Sequence, residues 1–294
     1  MTDLDLHHVL QEVTISQTQA ANIHLNPEKH GINPEVIQKG GKDYTNVVDI
    51  AVENLQKQFL KKAFPEIGFL GEETETIEGE RYFWIVDPTD GTAVYSTGGE
   101  YYSNSVALAD RESRTIPFGS VYQSAIGRQF VRINNEVWIR ESTIEKNGKH
   151  KTIERIPQPS QSRGLPELMG CVILPSKYKD DNPELAGRLR KVFQEVEFPA
   201  LERSYSMIDA KPASGSSALF CCDIADGNRH FALLYKQKAW DMAGGALIAR
   251  DAGCIVKPAD LEQQIATCTK NTLLDVEVYA NSHVQDIVMS RFNS

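Results

Sequence analysis

Two aspartates, Asp87 and Asp90, lie three positions apart in "WIVDPTDGTAVY" (84–95), directly after an apolar run. Pro88 is expected to stop the strand ladder and Gly91 to permit a sharp turn, so that both carboxylates leave the sheet at one edge. Carboxylates this close repel each other unless a cation or a proton sits between them. Hard divalent cations such as Mg²⁺ take oxygen ligands and use carboxylates together with substrate phosphates. The carbonyl of Thr89, between the two aspartates, is a third candidate oxygen. If a helix starts at Gly91–Thr92, its unpaired N–H groups face the same place and can hold a phosphate. The plainer alternative is a capped turn at a solvated strand end.

Three further segments carry similar groups. In "FLGEETE" (69–75) an apolar run ends on a glycine followed by Glu72 and Glu73, a second acidic group or a solvated turn. In "KAWDMAGG" (238–245) Asp241 opens a helix of small residues, as a ligand or as a simple N-cap. In "SGSSALF" (214–220) Gly215, Ser216 and Ser217 either present amides to a ligand or begin a helix.

The elements that must position these groups follow from periodicity. Residues 4–21 and 45–64 carry apolar residues at helical spacing, the second capped by Thr45 or Asn46 with Asp49 in its first turn. Residues 26–43, rich in Pro, Gly and charge, are expected to form a loop. Strands are predicted at 67–70, 82–87, 103–110, 117–123 and 127–133, with a hairpin closed at Asn134-Asn135. The polar stretch 141–168 is expected to link an N-terminal α+β domain (1–155) to a C-terminal α/β domain (156–294). Beyond it the predicted order is a strand at 171–175, a helix from Asn182 and Pro183 to 196, a helix at 214–227 and a strand at 229–235. A helix at 240–253, strands at 254–258 and 277–281, and a last helix at 282–292 follow. Such alternation implies a layered α/β arrangement.

The 294 residues suffice for two domains or one large one, and 41% hydrophobic with 24% charged residues is ordinary globular composition. A net charge of -9 argues against binding nucleic acid through its phosphates. An anionic substrate would need local help from metal ions or backbone amides. No apolar run approaches membrane-spanning length, and the start reads as no signal peptide. Five cysteines without a CxxC pair are read as buried free thiols in a reducing compartment, which makes a cytoplasmic protein the expectation. His7 and His8 point to different sides of a helix and are read as solvated, as are Lys177 and Lys179. A homodimer is expected.

Taken in order across most of the chain, the segments resemble the inositol monophosphatase family of Mg²⁺-dependent, typically lithium-sensitive phosphatases. That family includes the 3′(2′),5′-bisphosphate nucleotidases. The matching pieces are Gly71-Glu72-Glu73, Trp84 to Thr92, Gly215 to Leu219, and Trp240 to Ala243 followed by Ala252-Gly253, with Asp49 on the early helix. The resemblance implies a layered αβαβα sandwich and two or three Mg²⁺ ions per site. It places Glu72, Asp87 and the Thr89 carbonyl on one ion. Asp87 bridges to a second, completed by Asp90 and Asp241, and Glu72 also helps to place a weaker third. Thr92, supported by Asp49, would orient the attacking water, and the amides of Gly91 and Thr92 would cradle the phosphate. Gly215, Ser216 and Ser217, with Asp90 and Asp241, would face the substrate.

The implied activity is hydrolysis of a small phosphorylated metabolite. Leu234 stands where the animal inositol enzymes carry a glutamate that touches sugar hydroxyls, which places Leu234 on the substrate side and loosens the tie to inositol phosphate. A nucleotide 3′-phosphate such as 3′-phosphoadenosine 5′-phosphate, sugar bisphosphates and histidinol phosphate remain rival substrates. A non-catalytic, metal-bearing regulatory protein on the same scaffold is the rival from another class.

Overall fold

A computed structural model describes residues 4–40, 43–144, 150–161, 170–173, 183–184 and 215–292. Helix α1 (Leu6–Leu25) starts where the Asp5 carboxylate accepts from the N–H groups of His7 and His8, and turns Val9, Val13, Gln17 and Ala20 inward. The described residues of 26–43, expected to form a loop, include regular structure. They hold a 3-10 turn (Pro27–His30) and a two-stranded ribbon, β1 (Val36–Gly40) against β2 (Asp43–Asn46). The segment's charge and glycine content concealed the ribbon, whose two strands pair only with each other among the described residues. Helix α2 (Val47–Ala63) follows at once. The Asn46 side chain accepts from the Val48 N–H, while Asp49 Oδ2 accepts from the Asn46 N–H at 2.9 Å.

Among the described residues the large sheet has seven strands whose spatial order is their chain order. They are β3 (Gly68–Gly71), β4 (Tyr82–Asp90), β5 (Ser103–Asp110), β6 (Thr115–Gln123), β7 (Arg128–Ile133), β8 (Glu136–Ile144) and β9 (His150–Arg155). Among these seven strands only the β3–β4 pair is parallel. The expected β7–β8 hairpin is present, with Asn134 at φ 52°. Within the stretch expected to link the domains, residues 141–144 are the end of β8 and residues 150–155 are β9. Its described side chains from Lys151 to Arg155 are exposed, so no apolar alternation marked an edge strand.

Strand β4 explains its own unalternating sequence. Trp84 and Val86 face a core shared with Val9 and Val13 of α1 and Leu60 of α2, while Phe83 and Ile85 face a second core on the other side. A strand buried on both faces reads as a continuous apolar run. Each such buried side chain contributes about 1.5–3 kcal/mol.

The second core lies between the large sheet and a smaller one. That sheet contains β10 (Gly170–Ile173), β11 (Phe231–Lys238), β12 (Ile255–Lys257) and β13 (Leu273–Tyr279), in spatial order β10-β11-β13-β12. After the short helix α3 (Thr92–Ser96), helices α4 (Ser217–Ala225), α5 (Ala239–Ala243) and α6 (Gly245–Asp251) fill the space between the sheets. The single helix expected at 240–253 is thus two, divided at Gly244. A further short helix, α7 (Leu261–Ala266), escaped the sequence reading, and α8 (Ser282–Phe292) packs on β13. With α1 and α2 on the far face of the large sheet, the layers run helix, sheet, helix, sheet, helix. The helix expected from Asn182 to 196, together with Lys177 and Lys179, lies outside the described residues.

Candidate metal centre and active site

Pro88 does not stop the ladder. Strand β4 bulges between Asp87 and Asp90 and then pairs again, Asp90 opposite Ser103. A bulge re-aims side chains, and here it turns Asp87, Thr89 and Asp90 together at the strand end. Asp87 Oδ1 accepts from the Thr89 N–H at 3.0 Å. Asp241 arrives from α5, in the first turn rather than at the N-cap, and its Oδ2 accepts from the Lys238 N–H at 2.8 Å. Each of Asp87, Asp90 and Asp241 offers a carboxylate oxygen within 4.8 Å of the other two.

Asp90 also holds α4 from outside. Its Oδ2 accepts from the Ser216 hydroxyl at 2.5 Å and the Ala218 N–H at 2.7 Å, and its Oδ1 from the Ser217 N–H at 3.1 Å. A carboxylate at a helix N-terminus is favourable. The Ser216 hydroxyl accepts from the Leu219 N–H and meets Ser103 Oγ, while Ser217 Oγ donates to Gln237 Oε1 at 2.8 Å. Gly215 lies against Tyr101. The segment expected to present amides to a substrate therefore spends the amides of Ser217 and Ala218 on Asp90.

The electrostatics of this group favour a cation. Burial, then the charges of Glu72, Asp90, Asp241 and Asp49, push the Asp87 carboxyl well above its ordinary range. Burial raises Asp90 to about 6, against the lowering effect of its bonds to Ser216, Ala218 and Ser217. Asp241 is raised to about 7 by burial and by Asp90. Hard oxygen donors that raise one another in this way fit Mg²⁺.

Thr92 opens α3 after Gly91, which has φ 95°, a left-handed conformation that glycine adopts without strain. The Thr92 hydroxyl lies 3.1 Å from Asp49 Oδ2 and 3.0 Å from the Thr89 carbonyl, both acceptors for its one proton. Asp49 is fully buried, and its Oδ1 has no hydrogen-bond partner among the described residues. Burial raises it to about 6.

Glu72 stands outside the close group of three but near enough for its charge to act on Asp87. Its loop is anchored by Glu53, fully buried on α2, whose carboxylate accepts from the N–H groups of Glu73 (2.8 Å) and Thr74 (2.6 Å). Gly71 makes this possible, because a Cβ there would meet the Glu53 carboxylate at 2.4 Å.

A sequence profile of the inositol monophosphatase family matches residues 5–292. The chain belongs to the inositol monophosphatase family. Inositol monophosphatase 1 of Solanum lycopersicum is 30% identical to it over 227 residues, 75% of this chain and 74% of its own length. The Nus factor SuhB of Xylella fastidiosa is 29% identical over 237 residues, 76% of this chain and 74% of its own. Among solved structures, the extragenic suppressor protein SuhB of Bartonella henselae superposes with a TM-score of 0.71, covering 97% of this chain and 98% of the other at 21% identity. That last likeness is one of fold.

Within this inositol monophosphatase-family fold, one expectation is corrected. Leu234 is fully buried in β11, paired with Ile173 and Val276, and belongs to the core between the sheets. The β11–β13 pairing shifts register between Leu234 and Gln237, with Lys236 at φ 55°, on the way from this buried position to the Asp241 turn.

Several supporting residues went unnoticed in the sequence. Asn104 Nδ2 donates to the carbonyls of Asp87 and Pro88, each at 3.1 Å, from behind the bulge. His24 is buried between Ser124 Oγ (3.1 Å from Nδ1) and Thr89 Oγ1 (2.9 Å from Nε2), and burial lowers its pKa to about 3, so it is neutral. Two signals were available. Glu53 stands one helical turn beyond Asp49, and Ser103-Asn104-Ser105 is a polar run at the start of a wholly buried strand.

Proposed function

We propose that this protein is a Mg²⁺-dependent phosphomonoesterase acting on a small phosphorylated metabolite. The observation that carries the reading is the convergence of Asp87, Asp90 and Asp241 beside a hydroxyl, Thr92, bonded to a buried carboxylate, Asp49. The Thr89 carbonyl and Glu72 would complete the ligand set for two or three ions. Bound Mg²⁺ supplies Lewis-acid stabilisation of phosphoryl oxygens and makes a water more acidic.

The chain's own groups do the rest. With its proton held by Asp49, the Thr92 oxygen has lone pairs free to accept from a water O–H and to aim that water at phosphorus. The proton then moves onto Thr92 as the Thr92 proton passes to Asp49 Oδ2. A base near 6 suits transfer at neutral pH. The N–H groups of Gly91 and Thr92, at the start of α3, would cradle the phosphate, as groups that a helix start leaves outside its own ladder can.

The substrate class is a phosphorylated polyol or sugar, with 3′-phosphoadenosine 5′-phosphate as the main rival. Buried free thiols at all five cysteines support a reducing, cytoplasmic setting. Homodimer assembly and Li⁺ inhibition belong to the same reading, the first tested by light scattering. The deciding experiment is phosphate release with Mg²⁺ across phosphorylated polyols, sugars and nucleotides. Turnover of one class above the rest is expected. Retained metal binding without turnover of any ester would favour a regulatory protein instead, a reading to which the SuhB relatives' name, Nus factor, gives some weight.

A further inference from the structure

Thr74, two residues beyond Glu72, has all three of its polar groups held by charged side chains. Its N–H donates to Glu53 Oε1 at 2.6 Å, its hydroxyl accepts from Lys57 Nζ at 3.0 Å, and its carbonyl accepts from Lys270 Nζ at 2.7 Å. Glu53 and Lys57 sit one turn apart on α2. Lys270 comes from the turn before β13 on the small sheet, 196 residues further along the chain. The series continues. The Lys270 carbonyl accepts from Lys238 Nζ at 3.0 Å, and the Lys238 N–H donates to Asp241 Oδ2 at 2.8 Å. An unbroken run of side-chain and backbone hydrogen bonds thus leads from the Glu72 loop to the Asp241 carboxylate.

We propose that Lys270 and Lys238 are positioning residues that clasp the Glu72 loop of the large sheet to the Asp241 turn of the small one, and so set the cation affinity of the site between them. The proposal rests on the metal-site reading above. Glu72 follows β3 of the large sheet and Asp241 lies on α5, directly after β11 of the small one, and the charges of both act on Asp87. Without an ion the like charges of the site repel one another, a force that acts to spread the elements carrying them. A tie that already holds the separation removes the ordering of those elements from binding. Ammonium donors to carbonyls are charge-assisted and stronger than neutral pairs. Lys238 is further steadied over the Trp240 ring, 5.6 Å from its centroid. Neither lysine touches the reacting atoms, so the clasp acts on affinity rather than on the chemical step.

The test uses the full-length protein stripped of metal, titrated with Mn²⁺ while free ion is counted by electron paramagnetic resonance. Lys270→Met keeps the apolar stem and removes the donor. It is expected to weaken Mn²⁺ binding about tenfold, the scale for groups that orient metal ligands, while kcat at saturating metal changes less than about threefold. Lys238→Met should also weaken binding, though by less, because it removes a positive charge that acts on Asp241 as well as its bond; the double variant should be no worse than Lys270→Met, because one chain of bonds is cut in either place. Lys270→Arg should recover most of the affinity. Should Lys270→Met fail to fold by circular dichroism, Lys238→Met carries the comparison. Binding by both single variants within about twofold of the parent, or losses that multiply in the double, would overturn the clasp. Asp241→Asn separates the two ideas. If it loses Mn²⁺ while the lysine variants do not, the clasp alone is wrong; if it too binds like the parent, the metal site is wrong.

Discussion

Asn104 and Gln56 exchange hydrogen bonds through both ends of their amides, each at 2.8 Å. One N–H of Asn104 remains for the two bulge carbonyls of Asp87 and Pro88, which share it. The reciprocal pair fixes which way the Asn104 amide faces, and so fixes a donor under the bulge that aims Asp87, Thr89 and Asp90. Asn104→Leu keeps the volume and removes that donor. It should destabilise the protein by about 1–3 kcal/mol, since buried carbonyls and the Gln56 amide lose partners, and should weaken metal binding as well. Denaturant unfolding and a Mn²⁺ titration check both. A variant as stable as the parent would show the bulge to be held by the ladder alone.

Asp87→Asn removes the proposed bridging carboxylate. Activity should fall by ~10²–10³-fold, the equivalent of several kcal/mol of charge stabilisation. Metal-free stability should hold or rise, because one repelling charge is gone. Steady-state kinetics at saturating Mg²⁺ and a melting curve without metal are the measurements. Activity within threefold of the parent would be incompatible with a bridging role.

Thr92→Ala and Asp49→Asn should each lower kcat by ~10²–10⁴-fold with little change in KM, since a positioned proton acceptor acts in the transition state. Residues that act as a unit are not additive. The double variant should therefore cost little more than the worse single. Losses that multiply would separate Asp49 from the water.

Asp241 and Asp90 give the metal-free protein a pH signature. Their folded pKa values, about 7 and about 6, lie above the ordinary 3.8. Below 3.8 both folded and unfolded chains hold these protons, and burial carries no penalty. As pH rises through 6 and 7 the folded chain must take on buried charge, so this contribution to stability is lost. Asp241→Asn, which keeps no charge, should match the parent near pH 4 and exceed it by about 1–4 kcal/mol near pH 8, both without metal. A pH-independent difference would contradict the coupling. Mg²⁺ should abolish the parent's disadvantage.

Leu234→Glu should not retune substrate preference. At a fully buried core position it places a carboxylate among apolar groups, which is strongly destabilising. Loss of soluble, folded protein is the expected outcome, read by expression and circular dichroism. A well-folded variant with altered selectivity would restore Leu234 to the substrate side.

The sequence announced the acidic groups and most of the elements, because strand ends, helix starts and apolar periodicity leave local marks. Asp87, Asp90 and Asp241 were legible from their own neighbours. Their supports were not. Asn104 lies 17 residues from the carbonyl it holds, and Lys270 lies 196 from Thr74. Such partners are chosen by tertiary packing, and no short window contains them. Strand β9 was missed for the opposite reason: its exposed side chains carry no burial pattern at all. Leu234 was placed on the substrate side by its distance in sequence from Asp241, and a distance in sequence does not say whether a side chain points into the core, where Leu234 lies.

Helix α4 starts under Asp90 and carries two adjacent thiols, Cys221 and Cys222, both fully buried and pushed by burial far above the ordinary thiol range. A protonated, buried thiol is inert to alkylating reagents until its surroundings open. Each labelling event therefore counts an excursion of the helix whose first turn grips a carboxylate of the candidate site. The chain carries a built-in clock for local opening, and added cations that fasten Asp90 should slow it.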